Sequence, residues 1–257
     1  MCLSLIKMFT EIDDLKIYYE KTGDHGKDVV LLHGWGQNTE MMAYIASFLG
    51  EHFTVYNLDF PGFGKSDTPH VSMSCEDYCE FLRHFIEKLE IDEKPIFIAH
   101  SFGCRIAIRY AYKYGAYKMC LTGAAGIRDK RSLMWYFKTY SYKLGKKIFK
   151  LLGKDISKYQ NKVGSEDYRN ASGIMRETFV KVVNDDISPL LKDIDTETLL
   201  VFGEKDEATP VEKGKMMEKL MKDATLVIFE GDDHYAYFHQ ADRFNRVLEA
   251  FLRSDYA

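Results

Sequence analysis

The chain has 257 residues, of which 46% are hydrophobic and 29% are charged, and these proportions are typical of an ordinary globular protein. The length suits either one α/β domain with an insertion or two domains. A formal net charge of -4 argues against general nucleic-acid binding, so we expect no nucleic-acid partner.

The cysteines and the N-terminal segment indicate the compartment. The five cysteines are odd in number and lack paired C-x-x-C spacing, which predicts free thiols in a reducing environment. No run approaches the roughly 18 apolar residues needed to span a bilayer. The segment up to Met8 also lacks the apolar core and cleavage site of a secretory signal. We therefore predict a cytoplasmic protein, without a membrane surface as partner, in which the residues before Met8 form an unstructured extension.

The first half of the chain alternates short apolar runs with stretches of helical periodicity. Residues 29–32 are apolar without alternation, which is typical of a strand buried on both faces in a parallel sheet covered by helices. Two β segments are predicted within residues 9–22, further strands at 29–32, 53–58 and 96–100, and helices at 39–49, 74–89 and 105–112.

The second half interrupts this alternation and then resumes it. After a strand at 118–123, residues 127–188 contain only stretches that indicate amphipathic helices, among them 174–183. Strands at 198–203 and 225–230 and helices at 211–221 and 241–252 follow. The sequence thus predicts an α/β core made of residues 1–126 and 189–257, with residues 127–188 inserted as a helical lid. Ligand sites of such folds lie at the carboxyl ends of the strands.

A serine follows the apolar run at 96–100. Ala99 precedes Ser101 by two residues and Gly103 follows it by two, giving the pattern A-x-S-x-G. At a sharp turn from strand to helix, the backbone of such a serine is strained and its hydroxyl leaves the sheet, while small flanking residues let strand and helix pass closely. Alone, the pattern fits a nucleophile or an ordinary turn.

Two further strand ends carry the partners that a nucleophilic serine needs. A serine hydroxyl requires an imidazole to take its proton, and the imidazole requires an acid to fix its tautomer. Asp206 follows the strand at 198–203, and His234 follows the strand at 225–230. The order Ser101, Asp206, His234 is the one described for α/β-hydrolases.

With these motifs in this order, the chain resembles enzymes of the α/β-hydrolase fold over about residues 15–252. The motifs are His33-Gly34-Trp35-Gly36, Asp59-Phe60-Pro61-Gly62-Phe63-Gly64-Lys65-Ser66, Ala99-His100-Ser101-Phe102-Gly103, Gly203-Glu204-Lys205-Asp206 and Asp232-Asp233-His234. Two positions depart from the usual pattern, since Ala99 and Cys104 stand where glycines are common. The resemblance implies a mostly parallel central sheet flanked by helices, with an inserted all-helical cap.

The same resemblance assigns roles to residues. It implies that Ser101 is the nucleophile, that His234 is the base and that Asp206 is the orienting acid. The backbone N–H groups of Trp35 and Phe102 are implied to form the oxyanion hole, and no cofactor or metal is expected.

Other residues compete for these roles. Neighbours on a tight turn rarely face each other, so an acid from a different strand end is favoured over the two aspartates beside His234. The competing residues are His239 as base, and Asp232, Asp233 or Asp129 as acid. A metal site built from Asp232, Asp233, His234 and His239 is disfavoured because no H-E-x-x-H pattern exists. His100 is expected to be a buried structural residue, and His33 to shape the oxyanion loop.

A serine at the elbow favours acyl chemistry, because the haloalkane dehalogenases and epoxide hydrolases of this fold carry aspartate there. We predict a serine hydrolase of a small or medium carboxylic ester, acting on a small molecule. The alternatives are a carbon–carbon bond hydrolase of a vinylogous diketone acid, with Arg105 or Arg176 binding the anion, and a ligand receptor with little turnover.

The predicted lid concentrates basic residues among aromatic ones. They form either a solvated helix face or a basic mouth for anionic substrates or a lipid surface. Between Arg128 and Lys162, these residues are Arg128, Lys130, Arg131, Lys138, Lys143, Lys146, Lys147, Lys150, Lys154, Lys158 and Lys162.

Overall fold

The apolar runs of the sequence form an eight-stranded sheet in the computed structural model, which describes residues 4–128 and 166–256. The strands are β1 (Leu5–Ile12), β2 (Leu15–Thr22), β3 (Asp28–Leu32), β4 (Thr54–Leu58), β5 (Ile96–His100), β6 (Lys118–Thr122), β7 (Glu197–Gly203) and β8 (Ala224–Phe229). Their spatial order is β1-β2-β4-β3-β5-β6-β7-β8. The six strands β3 to β8 are mutually parallel, whereas β2 is antiparallel to both β1 and β4. The predicted mostly parallel sheet is therefore confirmed.

Helices cover both faces of the sheet, because alternate residues of the buried strands point to opposite sides. The described α-helices are α1 (Ala43–Leu49), α2 (Cys75–Lys88), α3 (Phe102–Tyr114), α4 (Glu166–Asn170), α5 (Gly173–Val183), α6 (Ser188–Leu191), α7 (Val211–Leu220), α8 (Ala236–His239) and α9 (Ala241–Leu252). Leu32, Ala99 and Leu121 belong to the apolar cluster that includes residues of α2 and α3. Leu31 and Ile98 belong to a second apolar cluster that includes residues of α1 and α9.

The start of β1 corrects one expectation. Residues before Met8 are not an unstructured extension throughout, because β1 begins at Leu5 and pairs Leu5 with Thr22 and Ile6 with Lys21. Leu5 and Ile6 are 50% and 47% exposed. Backbone hydrogen bonds hold this edge strand without burying one face, so the period-two alternation on which strand prediction relies is missing there.

The described cysteines are free thiols, as predicted. Cys75 and Cys79 lie on one buried face of α2, Cys104 lies in α3 and Cys120 in β6. Burial raises the pKa of the Cys75 thiol to about 12, so this thiol stays protonated at neutral pH. Cys2 is outside the described residues.

The segment between β6 and β7 is described only at its two ends. Helices α4, α5 and α6 occupy part of residues 166–191, and residues 129–165 of the predicted lid are outside the described residues. The Ile187 N–H donates to the Gly126 carbonyl at 3.2 Å, which brings the two ends of the segment together. In the described ranges, no helix has the length and apolar character required to cross a membrane.

Helix α3 passes very close to the end of β3 at Gly103. A Cβ atom added at Gly103 would lie 2.3 Å from the Leu32 carbonyl oxygen and 2.8 Å from its carbon. Because those atoms belong to the backbone, they cannot move away by a side-chain rotation. Only glycine allows the first turn of α3 to sit against β3.

We expect Gly103→Ala to lower the free energy of unfolding by about 1 to 3 kcal/mol, the usual cost of overpacking a close contact. Urea denaturation followed by circular dichroism measures this change. Gly36→Ala is the control, because its added methyl group would meet no atom within 4 Å and carries only the strain of φ 72°. Destabilisation at Gly103 no larger than at Gly36 would contradict the steric explanation.

Candidate active site

Ser101 occupies a strained turn between β5 and α3. Its backbone has φ 48° and ψ -103°, a region that costs a non-glycine residue free energy and that is enriched at functional sites. Its N–H donates to the Thr122 carbonyl at 3.0 Å, and its own carbonyl accepts from the Cys104 N–H at 3.2 Å. These bonds hold Ser101 at the carboxyl end of the sheet, as the motif predicts.

The two departures from the usual glycine pattern are both accommodated. The methyl group of Ala99 is fully buried in the apolar cluster beneath α3. The Cys104 thiol lies 3.2 Å from the Ala99 carbonyl and 3.6 Å from the Thr122 carbonyl, and it donates to this pair of oxygens. The cysteine thus contributes hydrogen bonds between β5, β6 and α3 that a glycine would lack.

Ser101, His234 and Asp206 form a continuous chain of hydrogen bonds. His234 Nε2 lies 2.9 Å from Ser101 Oγ, and His234 Nδ1 lies 2.7 Å from Asp206 Oδ2. A carboxylate can only accept, so Nδ1 carries the proton of the neutral ring and Nε2 accepts from the serine hydroxyl. The ends of β5, β7 and β8 therefore converge as the sequence predicts.

Asp206 is held as a buried anion. Its Oδ1 accepts from the N–H groups of Ala208 and Thr209 at 2.8 and 2.7 Å, and its Oδ2 accepts from the Thr209 hydroxyl at 2.7 Å. Burial acts to raise the pKa of Asp206, but the hydrogen bonds from His234 and Thr209 outweigh it and hold the pKa below 3.8. The carboxylate is charged at neutral pH.

Thr209 is a site residue that the sequence analysis missed. Besides donating to Asp206, its Oγ1 lies 3.2 Å from His234 Nδ1. The available signal was the D-x-x-T spacing, in which an aspartate and a threonine brace one turn through local side-chain bonds.

The competing acids and base lie in a separate group. His239 Nδ1 is 2.8 Å from Asp232 Oδ1, and the Gln240 amide donates to Asp232 Oδ2 at 2.9 Å. Asp232, Asp233 and His239 offer oxygen and nitrogen atoms within 4.8 Å of one another, but His234 is not in this group. Asp129 is outside the described residues.

His33 joins the two glycine-containing loops beside Ser101. Its Nδ1 donates to the Gly34 carbonyl at 2.7 Å, and its Nε2 accepts from the Phe60 N–H at 3.1 Å. Complete burial lowers the pKa of His33 to about 4. The ring is uncharged at neutral pH and serves as a structural link.

The residues expected to supply the oxyanion hole are Trp35 and Phe102. Phe102 is the first residue of α3, so its N–H has no acceptor within the helix. Among residues 4–128 and 166–256, neither N–H is hydrogen-bonded to a protein acceptor. Both residues line the cavity that contains Ser101.

That cavity has a volume of about 480 Å³, within the range typical of small-molecule sites. One wall is apolar, and the charged residues described on its lining are Arg105, Glu166 and Asp167. The larger apolar side chains are those of Trp35, Phe102, Phe179, Val182 and Val183. Of the basic residues between Arg128 and Lys162, only Arg128 is among the described residues.

The two arginines suggested for anion binding lie in different places. Arg105 lines the cavity and donates to the Asp185 carbonyl at 2.8 Å. Arg176 donates instead to the Ala171 carbonyl at 2.7 Å and does not line the cavity.

Comparison with known proteins gives the family. Residues 29–247 match the family described as the alpha/beta hydrolase family. The chain belongs to this family. It is 24% identical to the AB hydrolase superfamily protein YisY of Bacillus subtilis, over 94% of this chain and 97% of that protein. It is 25% identical to a 2-hydroxy-6-oxo-6-phenylhexa-2,4-dienoate hydrolase of Comamonas testosteroni, over 95% of this chain and 93% of that protein.

A solved structure shares the fold of this alpha/beta hydrolase. The esterase from Exiguobacterium antarcticum superposes with a TM-score of 0.75 at 24% identity, covering 96% of this chain and 100% of the esterase. Family membership makes the chain a hydrolase.

Because the His33 imidazole is buried in its neutral form, we expect the protein to lose stability in acid. The unfolded chain binds a proton at this side chain below about pH 6.5, whereas the folded chain does so only below a pKa of about 4. The free energy of unfolding therefore falls as the pH falls from 6.5 to 4, by about 3 kcal/mol for this group, since one pKa unit corresponds to about 1.4 kcal/mol.

We expect the free energy of unfolding of His33→Asn to fall less than that of the wild type as the pH is lowered. Urea denaturation at several pH values between 4 and 7 measures this difference. His70→Asn is the control, because His70 is exposed and should leave the pH dependence as in the wild type. An unchanged slope in His33→Asn would show that His33 is not the neutral buried group.

Proposed function

We propose that this alpha/beta hydrolase is a serine hydrolase that cleaves a small or medium carboxylic ester through an acyl-enzyme. The hydrogen-bonded chain from Ser101 Oγ through His234 to Asp206 carries the proposal. It supplies a nucleophile, a proton acceptor and a fixed negative charge in the order that acyl transfer requires.

In the first half of the reaction, Ser101 Oγ attacks the ester carbonyl carbon while its proton passes to His234 Nε2. The positive charge that forms on the imidazole faces the Asp206 carboxylate, 2.7 Å from Nδ1. The negative charge that develops on the carbonyl oxygen is placed between the N–H groups of Trp35 and Phe102. Collapse of the intermediate breaks the bond to the alcohol, which leaves with the proton from His234.

In the second half, a water molecule gives a proton to His234 and its oxygen attacks the acyl carbon. The bond to Ser101 Oγ then breaks, and the proton on His234 returns to the serine. The carboxylic acid leaves and the enzyme is regenerated. The apolar wall formed by Trp35, Phe102 and Phe179 supports the acyl group as the part that lies inside the cavity. The ring centroids of Trp35 and Phe179 are 5.0 Å apart, so this wall is continuous.

A fluorophosphonate probe tests the nucleophile directly, because it reacts only with a serine whose proton a base can take. We expect the wild type to be labelled, and Ser101→Ala and His234→Ala to lose labelling. On p-nitrophenyl esters of increasing chain length, kcat should fall by about a million-fold for either variant.

His239→Ala is the matched control, because this histidine belongs to the neighbouring Asp232 group and should leave labelling intact. A folded wild type that is neither labelled nor active on any ester would overturn the proposal and favour a ligand receptor.

A second candidate function rests on Arg105. Arg105 lines the cavity one helical turn after Ser101, and an arginine side chain can pair with a substrate carboxylate. A substrate of this kind is a vinylogous diketone acid, and the relative from Comamonas testosteroni is named for the hydrolysis of such a compound. This function differs from the first in the bond broken, which is carbon–carbon.

Parallel assays with aryl esters and with a dienoate diketone acid separate the two functions. Turnover of esters with no hydrolysis of the diketone acid supports the first proposal. Turnover of the diketone acid alone, lost in Arg105→Met, would replace it with the second.

Thr209 provides a graded test of the acid. Thr209→Val removes one hydrogen bond to a charged carboxylate and raises the pKa of Asp206, so kcat/KM should fall roughly tenfold. Thr209→Ser keeps the hydroxyl and should stay near the wild-type value. A loss in Thr209→Ser but not in Thr209→Val would show that the methyl group of Thr209, rather than its hydroxyl, is what matters.

A further inference from the structure

The Thr122 carbonyl at the end of β6 accepts from several groups of the elbow. It lies 3.0 Å from the Ser101 N–H, 3.2 Å from His100 Nδ1 and 3.6 Å from the Cys104 thiol. One backbone oxygen therefore fixes both the nucleophile and the side chain of the residue before it.

His100 is thereby held in one tautomer. A carbonyl can only accept, so Nδ1 carries the proton and Nε2 is left with a lone pair. The ring is completely buried, and Nε2 has no hydrogen-bond partner among the described residues. Burial, with a smaller contribution from nearby His234, lowers the pKa of His100 well below 6.5, so the ring is uncharged.

The ring of His100 lies against the ring of His234. Their centroids are 4.7 Å apart with an angle of 51° between the ring planes. The ring centroid of Tyr237 lies 4.6 Å from that of His100, and the ring centroid of Tyr235 lies 5.6 Å from those of both histidines. Aromatic side chains therefore pack around the two imidazole rings. His100 is thus immobilised by one hydrogen bond and by packing, and it presents a rigid surface to His234.

Gly123, the residue after Thr122, touches the same imidazole. Its φ is 52°, and an added Cβ atom would lie 2.9 Å from His234 Nδ1 and 3.0 Å from Cε1. The Gly123 N–H donates to the Val201 carbonyl at 2.9 Å, which fixes this contact to β7. The His234 ring therefore has two neighbours that are held by backbone hydrogen bonds, His100 at the end of β5 and Gly123 just after β6.

We propose that His100 and Gly123 are positioning residues that hold the His234 imidazole in line with Ser101 and Asp206. This inference rests on the proposed function of the triad. Rotation of the His234 ring would lengthen both of its hydrogen bonds at once, and a misplacement of about 1 Å in a catalytic group can cost about 100-fold in rate. The ring contact of His100, not its hydrogen bond to Thr122, is the feature that performs this task.

Two substitutions at His100 separate these features. His100→Phe keeps an aromatic ring and loses the hydrogen bond, so kcat should stay within about threefold of the wild type. His100→Asn keeps a donor for the Thr122 carbonyl and loses the ring, so kcat on a p-nitrophenyl ester should fall about 10- to 100-fold while KM changes less than about twofold.

Gly123→Ala is compared with Gly231→Ala. Both positions have a positive φ, 52° and 76°, but an alanine at 231 would meet no atom within 4 Å although it lies in the loop that carries His234. We expect kcat to fall about 10- to 100-fold in Gly123→Ala and to change little in Gly231→Ala. Equal effects at the two glycines would overturn the proposal.

The far-downfield NMR resonance of the proton between His234 and Asp206 gives a readout that needs no turnover. It should persist in His100→Phe and broaden or disappear in His100→Asn and Gly123→Ala. A resonance and a kcat in His100→Asn that match the wild type, or an equal loss in His100→Phe, would refute the role of the ring. Absence of fluorophosphonate labelling in the wild type would instead count against the proposed function.

Discussion

The contact between Gly103 and the Leu32 carbonyl is the constraint on which the site depends. It lets α3 start directly above the end of β3, which places Phe102 beside Trp35 in the loop after β3. The strained backbone of Ser101 costs about 1 to 3 kcal/mol, which the surrounding packing must offset. Part of this packing comes from the Phe102 ring, which lies in an aromatic cluster with its centroid 5.3 Å from that of Phe60 and 5.6 Å from that of Trp35.

Burial and hydrogen bonding together determine which ionisable groups around the serine are charged. Asp206 stays charged because four hydrogen-bond donors reach its oxygens. His33 and His100 are fully buried, and desolvation lowers the pKa of each, so both are uncharged at neutral pH. Among the described residues, Asp206 is therefore a fixed anion on the far side of His234, and neither His33 nor His100 is an imidazolium that opposes the positive charge that His234 gains when it takes the serine proton.

The parts of this arrangement that follow from composition and spacing were predictable. Strands such as β3, β5 and β6 are buried on both faces, so their sequences are continuous apolar runs, and Ser101, Asp206 and His234 stand where such runs end. The prediction that the residues before Met8 are unstructured was wrong for the start of β1, because an exposed edge strand has no alternation of buried and exposed residues. Thr209 and the thiol of Cys104 were missed because their hydrogen bonds depend on the path of a turn, which spacing alone does not define.

Helix α3 also fixes the position at which the segment after β6 rejoins the core. Arg105 donates to the Asp185 carbonyl at 2.8 Å, and Arg109 forms an ion pair with the Asp185 carboxylate at 2.6 Å. These contacts fix the chain just after α5, which supplies Phe179 to the cavity wall. Helix α3 thus follows directly after the nucleophile, and its next two turns, through Arg105 and Arg109, position the segment that forms the cavity wall. Side chains in α5 can therefore change which molecule fits without moving Ser101, because the nucleophile and the wall are anchored separately to a rigid element.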